Sequence, residues 1–348
     1  MVGSYAEHDQ SGIYAFELQT DEGGARLKRL YEIPGAANPS FLLMHPSGRV
    51  LYAVEELSPE GRVNVYTMEE DGPAFLEAFP SEGADPCHLS LSPDGKFLVV
   101  ANYTGGSLSV FRLDENGIPV CMTEHRRHEG CSVYRGRQES PHVHFTGFAD
   151  GQLYVCDLGL DRVFCYEPDL MAGSLSDTER NLQLPAGCGP RHFCRLPEHP
   201  DLLYVITEMS AEVFVFRIPG KKGAAGENHF LQRIRILPED EDAAAVPLGM
   251  IGAALKSSED GRFLFASARI FNQIAVFAVQ EDGMLQRTGV YDCGGRMPRD
   301  FGVFGDYIVT ANQESGNLSV LKADPDRKSL MDTGIREEIA KPSCILRI

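Results

Sequence analysis

Apolar residues in this chain come in short runs, and three kinds of run recur in a fixed order. The first is opened by an X-Pro-X sequence, at Asn38-Pro39-Ser40, Asp85-Pro86-Cys87, Ser140-Pro141-His142, Gly189-Pro190-Arg191, Met297-Pro298-Arg299 and Lys341-Pro342-Ser343. A degenerate copy without its proline lies near Met250-Ile251-Gly252. Most copies lead to a turn, such as Pro46-Ser47-Gly48, Pro93-Asp94-Gly95, Ala149-Asp150-Gly151 or Glu259-Asp260-Gly261. The second run follows it: Leu51–Glu56, Leu98–Tyr103, Leu153–Leu158, Leu203–Glu208, Leu264–Arg269 and Ile308–Gln313. The third alternates apolar and polar positions, at Arg62–Tyr66, Ser107–Phe111, Arg162–Tyr166, Ala211–Phe216, Gln273–Phe277 and Asn317–Leu321. Strict alternation marks a strand with two different faces. A weaker fourth strand is predicted after each, for example around Phe75-Leu76 or Leu231–Ile234.

A supersecondary unit repeated at this period predicts a solenoid or a propeller. The two ends decide between them. Gly3-Ser4-Tyr5 matches the end of a second strand and Gly12–Phe16 a third, whereas Pro342–Ile348 matches a first strand. Joined, the termini supply a seventh unit, and strand pairing at that seam closes the ring without an open edge. The expected fold is therefore all-β: a single seven-bladed β-propeller over residues 1–348, with four-stranded antiparallel blades and the last blade shared between the termini. Helix signals are nearly absent; Ala243–Val246 is a candidate that reads equally well as a loop.

Composition narrows the classes. Apolar residues are 43 % of the chain, enough for a large core, and no run reaches the ~18 apolar residues of a membrane helix. The N-terminal sequence has neither a basic region nor an apolar signal core, so a cytoplasmic location is expected. Nine scattered cysteines without a Cys-x-x-Cys pair read as reduced, packed thiols rather than zinc ligands or a redox pair. A net charge of −18 disfavours nucleic acid and anionic membranes as partners. An anionic ligand would need a local cluster of Arg or Lys. Unequal repeat spacing locates two insertions. One holds His125–His128 and Tyr134–Gln138; the other holds Lys221-Lys222 and the acidic run Glu239–Asp242, which reads as a solvated loop.

In a blade of this kind the first strand lines the channel and the second runs antiparallel beside it. The start of one and the end of the other share a mouth. Collected around the ring, those positions hold His88, His142, His144, Arg191, His192, Arg299 and Asp300, with Glu56, Tyr103, Glu208, Arg269 and Gln313 from second strands. Each has a purely structural alternative, such as Arg191 pairing with Glu208 to hold neighbouring strands. Three arginines against two glutamates leave positive charge over, which suits an anionic ligand. No Gly-x-Ser-x-Gly elbow or phosphate-binding glycine loop occurs, and His142 with His144 lacks carboxylate partners for a metal, so no metal or cofactor is expected.

Several of these stretches resemble the seven-bladed propeller lactonases, a family that includes a bacterial 6-phosphogluconolactonase and a fungal enzyme acting on carboxy-muconate. They are Asn38–Gly48, Ser92–Tyr103, Arg137-Gln138 before Pro141–His144, Asp157–Val163, Gly189–His192 and Pro298–Phe301, in order along essentially the whole chain. The resemblance implies catalytic roles for His142, Arg191, Glu208 and Arg269. On that footing His142 or Glu208 activates water, Arg191 stabilises the oxyanion, and Arg299 and Arg269 hold a phosphate. Arg137 is a candidate lid residue, and His144, His192 and His88 are candidate substrate contacts. The implied substrate is a small anionic lactone, most directly 6-phosphogluconolactone. The alternatives are another lactone, lactone formation by proton transfer, or a binding propeller without turnover. One departure is Ala254, where the family carries an acidic residue on the first strand.

Overall fold

The computed structural model describes residues 1–21, 24–218, 229–243, 246, 249–324 and 329–348. Lys221-Lys222 and the inner residues of the Ala243–Val246 helix candidate lie outside them. The chain forms seven antiparallel sheets arranged as blades, six built outward in sequence order and one whose C-terminal inner strand is followed outward by the first three strands of the chain. The first strands are Leu42–Met44, Pro86–Leu91, Val143–Ala149, Pro190–Leu196, Gly252–Ser257, Pro298–Phe304 and Pro342–Ile345. Neighbouring first strands touch one another and form the inner ring. Blades are numbered 1 to 7 in that order.

The second strands explain why their sequence runs are apolar throughout. Val50–Glu55, Phe97–Asn102, Gln152–Asp157, Phe263–Ala268 and Tyr307–Asn312 are buried at every position. Each is covered on both faces by adjacent blades, so alternation has nothing to report. Outer strands such as Gly72–Pro80 and Pro119–Arg127 are mostly exposed. Among the described residues the core is a ring of hydrophobic clusters, one between each pair of neighbouring blades. The Tyr204, Val213 and Phe277 cluster joins blades 4 and 5, for example, and the Ile13, Leu51 and Cys344 cluster joins blades 7 and 1.

The seam is the one the repeat pattern predicts. Val2–Ser4 pairs with Pro342–Ile345 on one side and with Ser11–Asp21 on the other. The Met1 amine donates to Leu346 O at 2.5 Å, and Leu346 N donates back to Met1 O at 2.9 Å. All nine cysteines are unpaired. The acidic run Glu239–Asp242 forms no helix or strand, as expected for a loop.

Candidate active site at the channel mouth

Six of the seven first strands carry a register shift close to their start, whereas Leu42–Met44 of blade 1 pairs without one. Pro190 lies opposite Thr207 but His192 opposite Ile206, so Arg191 is the extra residue; Pro86/His88 and Pro298/Asp300 repeat the pattern, leaving Cys87 and Arg299 in that place. A bulge re-aims side chains, and here it turns two consecutive residues toward the axis. In blade 3 the paired residues are Val143 and Phe145. The bulged residue is therefore His144, and the Pro141-His142 motif falls two positions too early. The backbone agrees: the residue before proline has positive φ at Asn38, Asp85, Gly189, Met297 and Lys341, whereas Ser140 is not among the positive-φ residues. Although His142 and His144 alternate in sequence as residues of one strand face would, the ladder separates them. His142 precedes the strand, His144 occupies the place of Arg191, and the counterpart of His88 is Phe145. Gly252 lies opposite Ala268, which gives Ala254 the place that Asp300 holds in blade 6.

Glu208 is the centre of one side of the mouth. It follows the second strand of blade 4 directly, its N–H donates to Gly189 O at 2.7 Å, and the residue is 3 % exposed. Its carboxylate meets three guanidiniums: Arg191 Nε at 3.1 Å, Arg269 at 2.9 Å, and Arg137, which reaches in from the loop before blade 3. Arg191 also donates to Ala253 O and to His192 Nε2, each at 2.9 Å, and Arg269 to Gly252 O at 3.3 Å. Burial opposes ionisation of Glu208, but Arg269, Arg137 and Arg191 outweigh it and hold the carboxyl well below the ordinary range. Burial and the nearby Arg269 and Arg299 push the Arg191 guanidinium down from its ordinary value. Arg269 Nε finds no partner.

Glu56 is built differently on the same backbone position of blade 1. Tyr5 Oη donates to its two oxygens at 3.0 and 2.9 Å, and the Ser40 hydroxyl makes a further, short contact. Arg299 stacks its guanidinium over the Tyr5 ring at 5.3 Å, and no hydrogen bond or ion pair holds it among the described residues. Burial raises the Glu56 carboxyl above its ordinary value despite Arg299, Ser40 and Tyr5.

Between these two sides lies a cavity of about 260 Å³ lined by Glu56, Arg191, Arg299, Cys87, His144 and His192 among others. Its wall is aromatic. His88 sits between Phe41 and Phe145, with ring centroids 4.3 and 3.9 Å away, and accepts Thr146 N–H at 3.3 Å. His192 lies 5.2 Å from His144, whose buried Nδ1 has no partner. Burial, reinforced by the Arg191 charge, lowers all three histidines, His88 to about 3, so they are neutral at physiological pH. Deeper along the axis Lys256 pairs with Asp300 at 2.8 Å, and Asp300 also accepts Ile345 N–H at 2.7 Å. Asp300 therefore ties blades 5, 6 and 7 together while lining the same cavity.

His142 lies at the rim, stacked on Tyr103 with centroids 4.5 Å apart, and Tyr103 Oη accepts from Arg137 at 3.3 Å. Its Nδ1 contacts Tyr103 O at 3.1 Å. A carbonyl can only accept, so Nδ1 carries a proton, and in the neutral ring the lone pair is then on Nε2. Asp157 Oδ1 accepts the His142 N–H at 2.9 Å, and the same buried carboxylate contacts His128 Nδ1 at 2.6 Å. Among the described residues no three His, Cys, Asp or Glu side chains form a metal-binding group.

Sequence reasoning gathered Glu56 at the mouth without giving it a role, and it missed Tyr5. The signal for Tyr5 was present: Gly3-Ser4-Tyr5 ends a second strand just as Tyr103 follows one in blade 2. The other expected residues converge as follows. Arg137, Arg191, Glu208 and Arg269 form one network, Arg299 and His144 face the cavity beside it, and His88 and His192 form its wall.

A seven-bladed β-propeller lactonase family model matches residues 1–347. A 6-phosphogluconolactonase of Bacillus subtilis is 31 % identical over 352 residues, covering 99 % of this chain and 96 % of the relative. A 6-phosphogluconolactonase of Formosa agariphila is 29 % identical over 343 residues, covering 94 % and 93 %. The solved periplasmic gluconolactonase of Pseudomonas aeruginosa superposes with a TM-score of 0.87 at 29 % identity, covering 99 % of this chain and 96 % of that one. With its closed seven-bladed ring and an arginine-rich mouth at one end, the chain belongs to the seven-bladed β-propeller lactonases, enzymes that hydrolyse lactones.

Proposed function

We propose that this protein opens a phosphorylated sugar lactone, 6-phosphogluconolactone, to the free acid. The observation that carries this reading is local charge. Four guanidiniums, Arg137, Arg191, Arg269 and Arg299, face two carboxylates at one mouth of a chain whose net charge is −18. Such a cluster favours a small anion over the rest of the surface. The names of the relatives from Bacillus subtilis and Formosa agariphila support the phosphorylated substrate; that of the Pseudomonas aeruginosa protein supports the unphosphorylated one.

In this mechanism His142 is the general base, because its fixed tautomer leaves Nε2 free to take a proton from water. Water then attacks the lactone carbonyl, and Arg191 stabilises the developing oxyanion. Arg269 and Arg299 hold the phosphate, and Arg137 closes over it from its loop. Glu208 is not the base. Three guanidiniums keep it ionised and weakly basic, so its work is to set their positions. Uncatalysed opening of such lactones is already measurable, so a covalent nucleophile is not required.

The test is acid release from 6-phosphogluconolactone with and without purified protein, alongside unphosphorylated gluconolactone. Faster release from the phosphorylated substrate is expected. Rates equal to buffer for both lactones would overturn lactonase activity on these substrates; a preference for the unphosphorylated one would reassign the substrate and leave the reaction intact.

A further inference from the structure

We propose that Glu56 is the general acid of this site, donating its carboxyl proton to the ring oxygen as the lactone opens; the assignment rests on the lactonase chemistry proposed above. Ring opening produces an alkoxide, a poor leaving group that a positioned acid assists by about 10²–10⁴-fold. Among the described residues that line the cavity or, like Glu208, pair with its arginines, few can serve as that acid. Glu208 is ionised within its three arginines, and His88, His144 and His192 are neutral. The guanidiniums keep their protons at any working pH. Asp300 and Lys256 are paired with each other at 2.8 Å and burial makes the Cys87 thiol a still weaker acid, which leaves Glu56, facing the same cavity as Arg191 and His144.

Its surroundings suit both protonation states. Burial against the channel wall and the charge of Asp85 favour the neutral acid. Once the proton has left, Tyr5 Oη and the Ser40 hydroxyl each donate to the carboxylate, and the Arg299 charge, stacked on Tyr5 and without an ion pair among the described residues, favours it. The three supporting groups come from blades 7, 1 and 6, so the ring closure itself assembles this carboxyl environment.

The steps balance. Water forms a bond to the carbonyl carbon while His142 takes one of its protons. The oxyanion then collapses, the bond from carbonyl carbon to ring oxygen breaks, and Glu56 protonates that oxygen to a hydroxyl. His142, now an imidazolium, returns its proton through solvent to Glu56. The product is the hydroxy acid, which ionises in bulk water.

The experiment compares wild type, Glu56→Gln, Glu56→Asp and Tyr5→Phe on the lactone that the wild type opens. For Glu56→Gln the expected result is a kcat at least 100-fold lower with KM within threefold, unchanged affinity for the acid product by calorimetry, and loss of the alkaline limb of the kcat–pH profile. Glu56→Asp should recover part of kcat. Tyr5→Phe removes a donor to the carboxylate, so its alkaline limb should move to higher pH. A Glu56→Gln enzyme with kcat within threefold of wild type overturns the assignment, as does one that loses product affinity while keeping kcat. If that variant does not fold, an unshifted limb in Tyr5→Phe overturns it instead. A wild type without acceleration on any lactone defeats the lactonase reading itself, which is a distinct outcome seen before any variant is compared.

Discussion

Glu208 and Glu56 occupy the same place in their blades, one residue beyond a buried second strand, yet the molecule uses them in opposite ways. Around Glu208 three guanidiniums from three different segments close on one carboxylate, and each oxygen is paired. Around Glu56 the donors are two hydroxyls, and the nearest guanidinium stacks on Tyr5 without bonding to the carboxylate. The first environment holds its carboxyl well below the ordinary range and the second raises it. Backbone position alone therefore does not set the chemistry of a propeller rim. The neighbours contributed by adjacent blades do, because in a low-dielectric site the count of compensating charges outweighs local sequence.

The strongest way to break this contrast is to neutralise each carboxylate in turn. Glu208→Gln leaves three guanidiniums crowded without their counter-charge. Removing one partner of a buried ion pair costs about 3–5 kcal/mol, so denaturant unfolding should show a loss of that order together with loss of turnover. Glu56→Gln keeps its hydroxyl partners and should cost less than about 1.5 kcal/mol, the scale of one hydrogen bond. Equal losses of stability in the two variants would erase the distinction.

Acid titration separates the same network from the channel wall. His88, His144 and His192 have folded pKa values below the unfolded value of about 6.5. The unfolded chain therefore binds more protons as pH falls below that value, and stability drops by up to about 1.4 kcal/mol per pH unit for each histidine. Glu208 is also depressed, but relative to a carboxylate, so its contribution is intact above about pH 4.3 and fades only as pH falls further. Unfolding free energy measured from pH 7.5 to 4 should thus decline first through the histidine range. His88→Phe should flatten that decline by about one third, whereas a profile that is level down to pH 5 would mean that the wall histidines are protonated in the folded protein.

The repeat pattern made the ring legible because each blade is a local unit whose runs recur in order, and the split seventh blade follows from what the two ends match. One partner of Glu208 was legible as well, since Arg191 at the start of its first strand shares a mouth with the end of the adjoining second strand; Arg269 and Arg137 were expected on the phosphate and in a lid, and their pairing with Glu208 was not foreseen. Nor was register. Pro141 sits where a proline ought to open the strand, but the pairing begins at Val143, so the place of Arg191 belongs to His144. An insertion before blade 3 relaxes the connection between motif and strand, and only the hydrogen-bond ladder reveals a two-residue offset. The environment of Glu56 was hidden for a related reason. Tyr5 stands 51 residues away in the neighbouring blade 7, just past a strand only three residues long.

Within the Glu208 network the three arginines should not be equivalent. Arg191 directs Nε to Glu208 and a terminal nitrogen to Ala253 O and His192, a fork that a lysine ammonium cannot reproduce. Arg191→Lys should therefore lower kcat by about 10²-fold, the scale of losing one oxyanion donor. Arg137 reaches Glu208 from a loop, and its side chain is 12 % exposed against 3 % for Arg191 and Arg269. Its alanine variant should raise KM by about tenfold, near the 1.4 kcal/mol that a charge-assisted contact contributes, with kcat changed less than twofold. If Arg137→Ala instead lowers kcat as much as Arg191→Lys does, the loop takes part in the chemical step. The boundary between positioning and catalysis would then have to be redrawn to include the insertion before blade 3.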